Sequence, residues 1–177
     1  MVFNVGFWVL ILTAPVLVAA AYSDIRYRVL PDTISVLLVI FAVLRWGLAG
    51  EWHTLLWAVV CGAGIFVAGA LAFARGILGG GDVKMATAVS ILVGANAVAS
   101  FLVIMSLVGG GLSVIVLVRY YCANIFKNRG SPEPGIDSGA GRVDAGSATV
   151  KPTVPYGVAI ACAGLYVLAA QYRMGVN

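Results

Sequence analysis

Long apolar runs broken by short polar turns decide what this chain can fold into. Six runs can be traced, near residues 3–22, 33–49, 54–75, 83–93, 97–120 and 154–172. Most approach the roughly 20 residues that cross a bilayer as a helix. A backbone in hydrocarbon must satisfy its own hydrogen bonds, so runs of this kind are expected to be helices. Of the 177 residues, 62% are hydrophobic and 10% are charged, too few charges to cover a soluble domain. The expected fold is therefore an all-α integral membrane protein with six transmembrane helices, forming a single domain over residues 1–177. The fourth run is the short one. At about 1.5 Å per residue it reaches only about 17 Å, so it either extends into the Gly94–Asn96 break or is a partly immersed helix.

Charge sets an expected orientation. With the N-terminus outside, the inner loops receive Arg26, Arg28, Arg75, Lys84, Arg119, Lys127, Arg129, Arg142 and Lys151, nine of the eleven basic residues. Arg45 and Arg173 are left near the outer ends. That asymmetry is the positive-inside pattern, and it accounts for the net charge of +4 without a nucleic-acid partner. The segment Val18–Ser23 fits a small-residue cleavage pattern but lacks a basic stretch ahead of it, so the first helix is expected to be retained. Residues at about 121–153 are rich in glycine, serine and proline and predict a flexible cytoplasmic linker. Cys61, Cys122 and Cys162 stand alone, which supports neither a disulfide framework nor a zinc site.

The chain holds seven acidic residues. Glu133, Asp137 and Asp144 fall in the expected linker, where solvation suffices. Glu51 and His53 flank Trp52 in an outer turn, the composition of an interface anchor. Asp32 follows Pro31 at the start of the second run and reads as an N-cap. Asp24 and Asp82 remain, each at an inner helix end and so at one membrane depth. Two carboxylates in a partly desolvated site repel as anions, so one keeps a proton while the other ionises, a combination that suits water-mediated peptide hydrolysis. Taken singly, each also fits a helix-end cap or a partner for Arg26, Arg28 or Lys84. Gly79, Gly80 and Gly81 precede Asp82 and would allow positive φ and the approach of an extended peptide. Their spacing matches no phosphate-binding loop. No ligand cluster implies a metal or an organic cofactor.

These residues carry a resemblance. "GGGDVK", with Gly79, Gly81 and Asp82, resembles the G-x-G-D motif of type IV prepilin peptidases, which are membrane aspartyl proteases. "SDIRYRVLPD" is similar to the family's first motif, an aspartate shortly before Leu-Pro-[Asp/Asn], which places Asp24 in the other catalytic role and Asp32 where Asp and Asn are interchangeable. "VPYGVAIACAG", with Pro155, Tyr156 and Gly157, is similar to the segment that opens the family's last helix. The resemblance implies a bacterial inner-membrane endopeptidase that removes the leaders of prepilins and pseudopilins at the cytoplasmic face. It is nearest to the small branch associated with tight-adherence (Flp) pili. Larger relatives add a cysteine-paired extension and N-methylate their product. The first helix here begins almost at Met1, and N-methylation is not expected. Lys84 is expected to meet an acidic side chain of the substrate or a lipid phosphate.

Two other classes stay open at this stage. A presenilin-type intramembrane protease also uses G-x-G-D, but pairs it with Tyr-Asp and Pro-Ala-Leu, where this chain has Ser23-Asp24 and Pro155-Tyr156-Gly157. A non-enzymatic polytopic subunit for transport or assembly would explain the hydrophobicity and the glycines, though not two aspartates at one depth. Oligomeric state is not readable from the residues.

Overall fold

The computed structural model describes residues 5–27, 31–128 and 156–174. Within them the chain forms six α-helices: α1 (Val5–Tyr27), α2 (Asp32–Leu48), α3 (Trp52–Ala74), α4 (Gly80–Val93), α5 (Ala95–Asn128) and α6 (Tyr156–Arg173). Each coincides with one apolar run of the sequence. The turns between them are short, and glycines with positive φ close three of the helices: Gly50 after α2, Gly76 after α3 and Gly94 after α4. A left-handed backbone there ends a helix without the steric penalty that a Cβ would bring.

Three helices contain segments long and apolar enough to cross a membrane: Phe7–Tyr27, Trp52–Ala74 and Ala95–Cys122. They present large apolar side chains outward, including Trp8, Leu56, Val67, Leu107 and Ile115. The interior belongs mainly to α4 and α6. Met85, Ala88, Val89, Leu92 and Val93 of α4 pack with Ile160, Ala161, Ala163 and Val167 of α6, and Leu17 and Leu38 close the core from α1 and α2. α4 packs against α2, α3, α5 and α6, which explains its length. A helix of about 21 Å would be too short to span hydrocarbon alone, but this one is sheathed by protein. It stops at Gly94 instead of continuing to Asn96.

Small residues allow this enclosure. A Cβ on Gly62 would lie 2.6 Å from Ile91 Cγ1, and one on Gly69 would lie 2.7 Å from Val83 Cγ1. These two glycines of α3 let α4 approach more closely than any side chain would permit. The contacts also fix direction: the start of α4 meets the end of α3, so consecutive helices run up and down and α2, α4 and α6 share a direction. α5 passes through Gly109–Gly111 without a break.

One boundary differs from expectation. Residues 121–128 of the expected linker are helical instead, because α5 continues to Asn128. "RYYCANIFKN" contains no glycine or proline, the first being Gly130, so no helix breaker stops the helix earlier. The remainder of that linker, and Pro155, lie outside the described residues.

Candidate active site

Asp24 stands in the last turn of α1 and is 7% exposed. Its Oδ2 accepts a hydrogen bond from the backbone N–H of Val158 at 3.3 Å. Val158 is in the first turn of α6, where N–H groups have no partner within the helix and the helix dipole is positive. Asp24 thereby supplies an acceptor to one of the otherwise unpartnered N–H groups at the start of α6. The approach is close. A Cβ on Gly157 would lie 2.8 Å from Oδ2 and 2.9 Å from Cγ of Asp24, so the position admits glycine alone unless the carboxylate moves. The Tyr156-Gly157 pair therefore has a steric reason: it lets the end of α1 lie on the beginning of α6.

Asp82 stands in the first turn of α4 and is partly buried. Burial and, after it, the negative charge of Asp24 push its carboxyl up to about 6, with a hydrogen bond from the Gly79 backbone already offsetting part of the rise. The two carboxyl groups, one from α1 and one from α4, thus lie within electrostatic reach and in different environments. One is dressed with a helix N-terminus. The other is biased toward holding a proton. That asymmetry is what acid–base catalysis by a carboxyl pair requires.

The glycines ahead of Asp82 work otherwise than expected. Gly79 has φ −78° and ψ 144° and occupies the cap position, while Gly80 and Gly81 are already helical. The positive φ that these three would allow occurs instead at Gly50, Gly76 and Gly94. What the segment supplies is clearance: a Cβ on Gly79 would lie 2.9 Å from Asp82 Oδ2.

Asp32 and Lys84 also differ from expectation. Pro31, not Asp32, occupies the cap of α2, and no side chain caps that end. Asp32 is the first helical residue, and its two carboxylate oxygens accept from Lys84 Nζ at 2.7 and 2.8 Å. Lys84 therefore has an internal partner where a lipid or substrate contact was expected. Positions two apart on a helix do not share a face, so Lys84 points away from Asp82, into a groove of about 420 Å³ bordered by Asp32, Val36, Phe66 and Thr87. Both members of the pair are well exposed, at 49% and 67%, and exposed pairs of this kind contribute at most about 1 kcal/mol. Lys84→Gln and Asp32→Asn should each leave leader removal within about twofold of wild type, measured by substrate mass, as substitutions at exposed pairs do.

Glu51 and His53 lie at the opposite end of the bundle, where His53 Nε2 accepts from Trp57 Nε1 at 3.1 Å. Among the described residues, no group of three or more potential metal-ligating side chains comes together. Arg45, expected simply as a charge near the outer ends, is buried at that far end. Arg45 is 4% exposed and reaches across to α4 and α6. Its only sequence signal was a lone arginine inside an apolar run.

Two carboxyl groups on separate helices lie within electrostatic reach of one another at one end of an apolar helical bundle, an arrangement compatible with a membrane aspartic peptidase. The comparison of families agrees: residues 11–114, more than half of the chain, match the type IV leader peptidase family. The chain belongs to that family, and its activity is that of an aspartic endopeptidase removing prepilin leaders. The matched stretch contains both Asp24 and Asp82, but not Tyr156 and Gly157. No curated protein and no solved structure matches the chain. Family membership sets aside the transport-subunit and presenilin-type alternatives.

Proposed function

We propose that Asp24 and Asp82 are the catalytic pair of a single-domain leader peptidase of the small, Flp-type branch. The observation that carries this reading is the unequal setting of the two carboxyls: Asp24 against the N-terminus of α6, Asp82 raised by burial and by Asp24. Asp24, ionised, takes a proton from the attacking water as its oxygen bonds to the scissile carbonyl carbon. Asp82, protonated, donates to the carbonyl oxygen. As the C–N bond breaks, the proton held by Asp24 passes to the departing amine, and Asp82 recovers its proton from the collapsing hydroxyl. Each turnover consumes one water and restores both groups.

The proposed topology has six spans with the N-terminus outside and the carboxyl pair at the cytoplasmic face of the bacterial inner membrane. The bias of basic residues supports it, as does the up-and-down order of the helices, which puts Asp24, Asp82, Asp32 and Lys84 at one end. The substrates are prepilins and pseudopilins, whose cut lies where a basic leader meets an apolar helix, and N-methylation is not part of the reading. Gly79, Gly80 and Gly81 would border the extended peptide.

Co-expression with candidate prepilins, with leader removal read by intact mass, tests the activity, and a leader that stays attached to every candidate would count against it. Sidedness has its own check. With native cysteines removed, cysteines introduced at Ser138 and Ser147 should react with membrane-impermeant reagents only in opened cells, and labelling of intact cells would overturn the topology.

A further inference from the structure

The end of α4 remote from Asp82 is held by three side chains from two other helices. An α-helix leaves its last carbonyls without internal partners, and α4 cannot continue, because Gly94 adopts φ +82°. Trp46 Nε1 donates to Ile91 O at 3.1 Å, Arg45 Nη1 to Leu92 O at 3.0 Å and Gln171 Nε2 to Val93 O at 2.8 Å. Arg45 Nη2 also donates to Gln171 Oε1 at 3.1 Å, closing the ring between α2 and α6. The guanidinium lies 4.5 Å from the centre of the Trp46 ring. Arg45, Trp46 and Gln171 are 4%, 3% and 7% exposed. A cation at a helix C-terminus is favourable, yet the oxygens that Arg45 bonds are neutral, and Arg45 Nε is buried with no partner. Glu51 is the charged side chain whose field reaches it. A buried charge so incompletely compensated is destabilising relative to an apolar side chain of similar volume, and a simple packing role does not account for it.

Its geometry does. Along the rest of its length, apart from the exposed Lys84–Asp32 pair, α4 meets its neighbours through apolar contacts such as Val89 with Gly164 and Val83 with Gly69. Those contacts are non-directional and oppose axial sliding weakly. The hydrogen bonds from Arg45, Trp46 and Gln171 are directional and fix where α4 stops. α4 is short and unbroken, so a displacement at Leu92 reappears at Asp82, about 15 Å away along the helix. α6 joins the two sites, with Gln171 near its last turn bonding α4 and the Gly157-Val158 end cradling Asp24.

We propose that Arg45, through Leu92 and Gln171, is a positioning residue that sets the axial depth of α4 and thereby the placement of Asp82 relative to Asp24. The proposal rests on the reading of Asp24 and Asp82 as the catalytic pair.

The test uses the full-length protein in nanodiscs with a prepilin substrate. Arg45→Met and Gln171→Leu should each lower kcat by about tenfold or more, as an ångström-scale misplacement of a catalytic group does, with KM within about twofold of wild type. Separated carboxyls also repel less, so the alkaline limb of the kcat profile should move to lower pH. Arg45→Lys, which can still donate to Leu92 O but cannot bridge to Gln171, should recover part of the loss. Phe101→Ala, a core truncation on α5 that removes no hydrogen bond from the end of α4, should lower thermal stability while leaving kcat and the alkaline limb in place. Wild-type kcat and pH profile in folded Arg45→Met and Gln171→Leu would overturn the proposal, and so would the same loss and limb shift in Phe101→Ala. If Arg45→Met does not fold, Gln171→Leu decides. Cleavage by Asp82→Asn would sink the catalytic pair and this proposal together, whereas a dead Asp82→Asn beside unaltered Arg45 and Gln171 variants would sink this proposal alone.

Discussion

Asp24→Asn and Asp82→Asn should each reduce leader removal by about a thousandfold, the scale of losing a positioned acid or base. Both proteins should still fold and enter the membrane. An amide keeps the volume and some hydrogen bonds of a carboxyl group but can neither accept the proton of the attacking water nor pass one on at neutral pH. The two variants differ in their stability profiles. Asp82 is raised from 3.8 in the unfolded chain to about 6 in the fold. Between those values the native state retains a proton that the unfolded chain has released, so stability falls as pH rises through that window. Asp82→Asn should remove this fall, leaving a flatter profile of unfolding temperature against pH. Appreciable cleavage by either variant would disprove the assignment of the pair.

Gly157→Ala should be nearly as damaging, although it adds one methyl group. The new Cβ would lie 2.8 Å from Asp24 Oδ2 and 3.0 Å from Asp24 Cβ, and the backbone on one side and a buried aspartate on the other leave little room to yield. Asp24 must rotate away from the Val158 N–H, and cleavage should fall by about a hundredfold. Helix propensity works in the opposite direction, since alanine in a helix is favoured over glycine by up to about 1 kcal/mol. Gly110→Ala separates the two effects: no atom lies within 4 Å of the added Cβ, so that variant should cleave normally and be no less stable. Normal cleavage by Gly157→Ala would show that Asp24 does not need its seat on α6.

Much of this was legible in the residues. Six apolar runs became six helices because hydrophobic runs, glycine breaks and helix ends are all local signals. Asp24 and Asp82 emerged once solvated and interfacial acids had been set aside, and the structure brings them within electrostatic reach. The Asp32–Lys84 pair was not legible, because no local rule links a helix start to a lysine 52 positions later. Asp32 looked like a cap because its residue type favours that place, but Pro31 already stands there, and the carboxylate turned to the nearest cation. Arg45 looked like one more outer charge, since its three-helix arrangement depends on where α4 and α6 end in space. The brevity of α4 was visible and its cause was not: burial inside protein relieves a helix of the need to reach both faces of the bilayer.

The seat of Asp24 on α6 has a consequence in time. The ribosome completes both aspartates well before it reaches Val158, whose N–H the first of them requires. A nascent chain that has inserted α1 to α5 therefore owns both acids, but the hydrogen bond and helix dipole that hold Asp24 in place do not yet exist. On the proposed assignment, proteolytic competence awaits the docking of α6, a helix made after both aspartates.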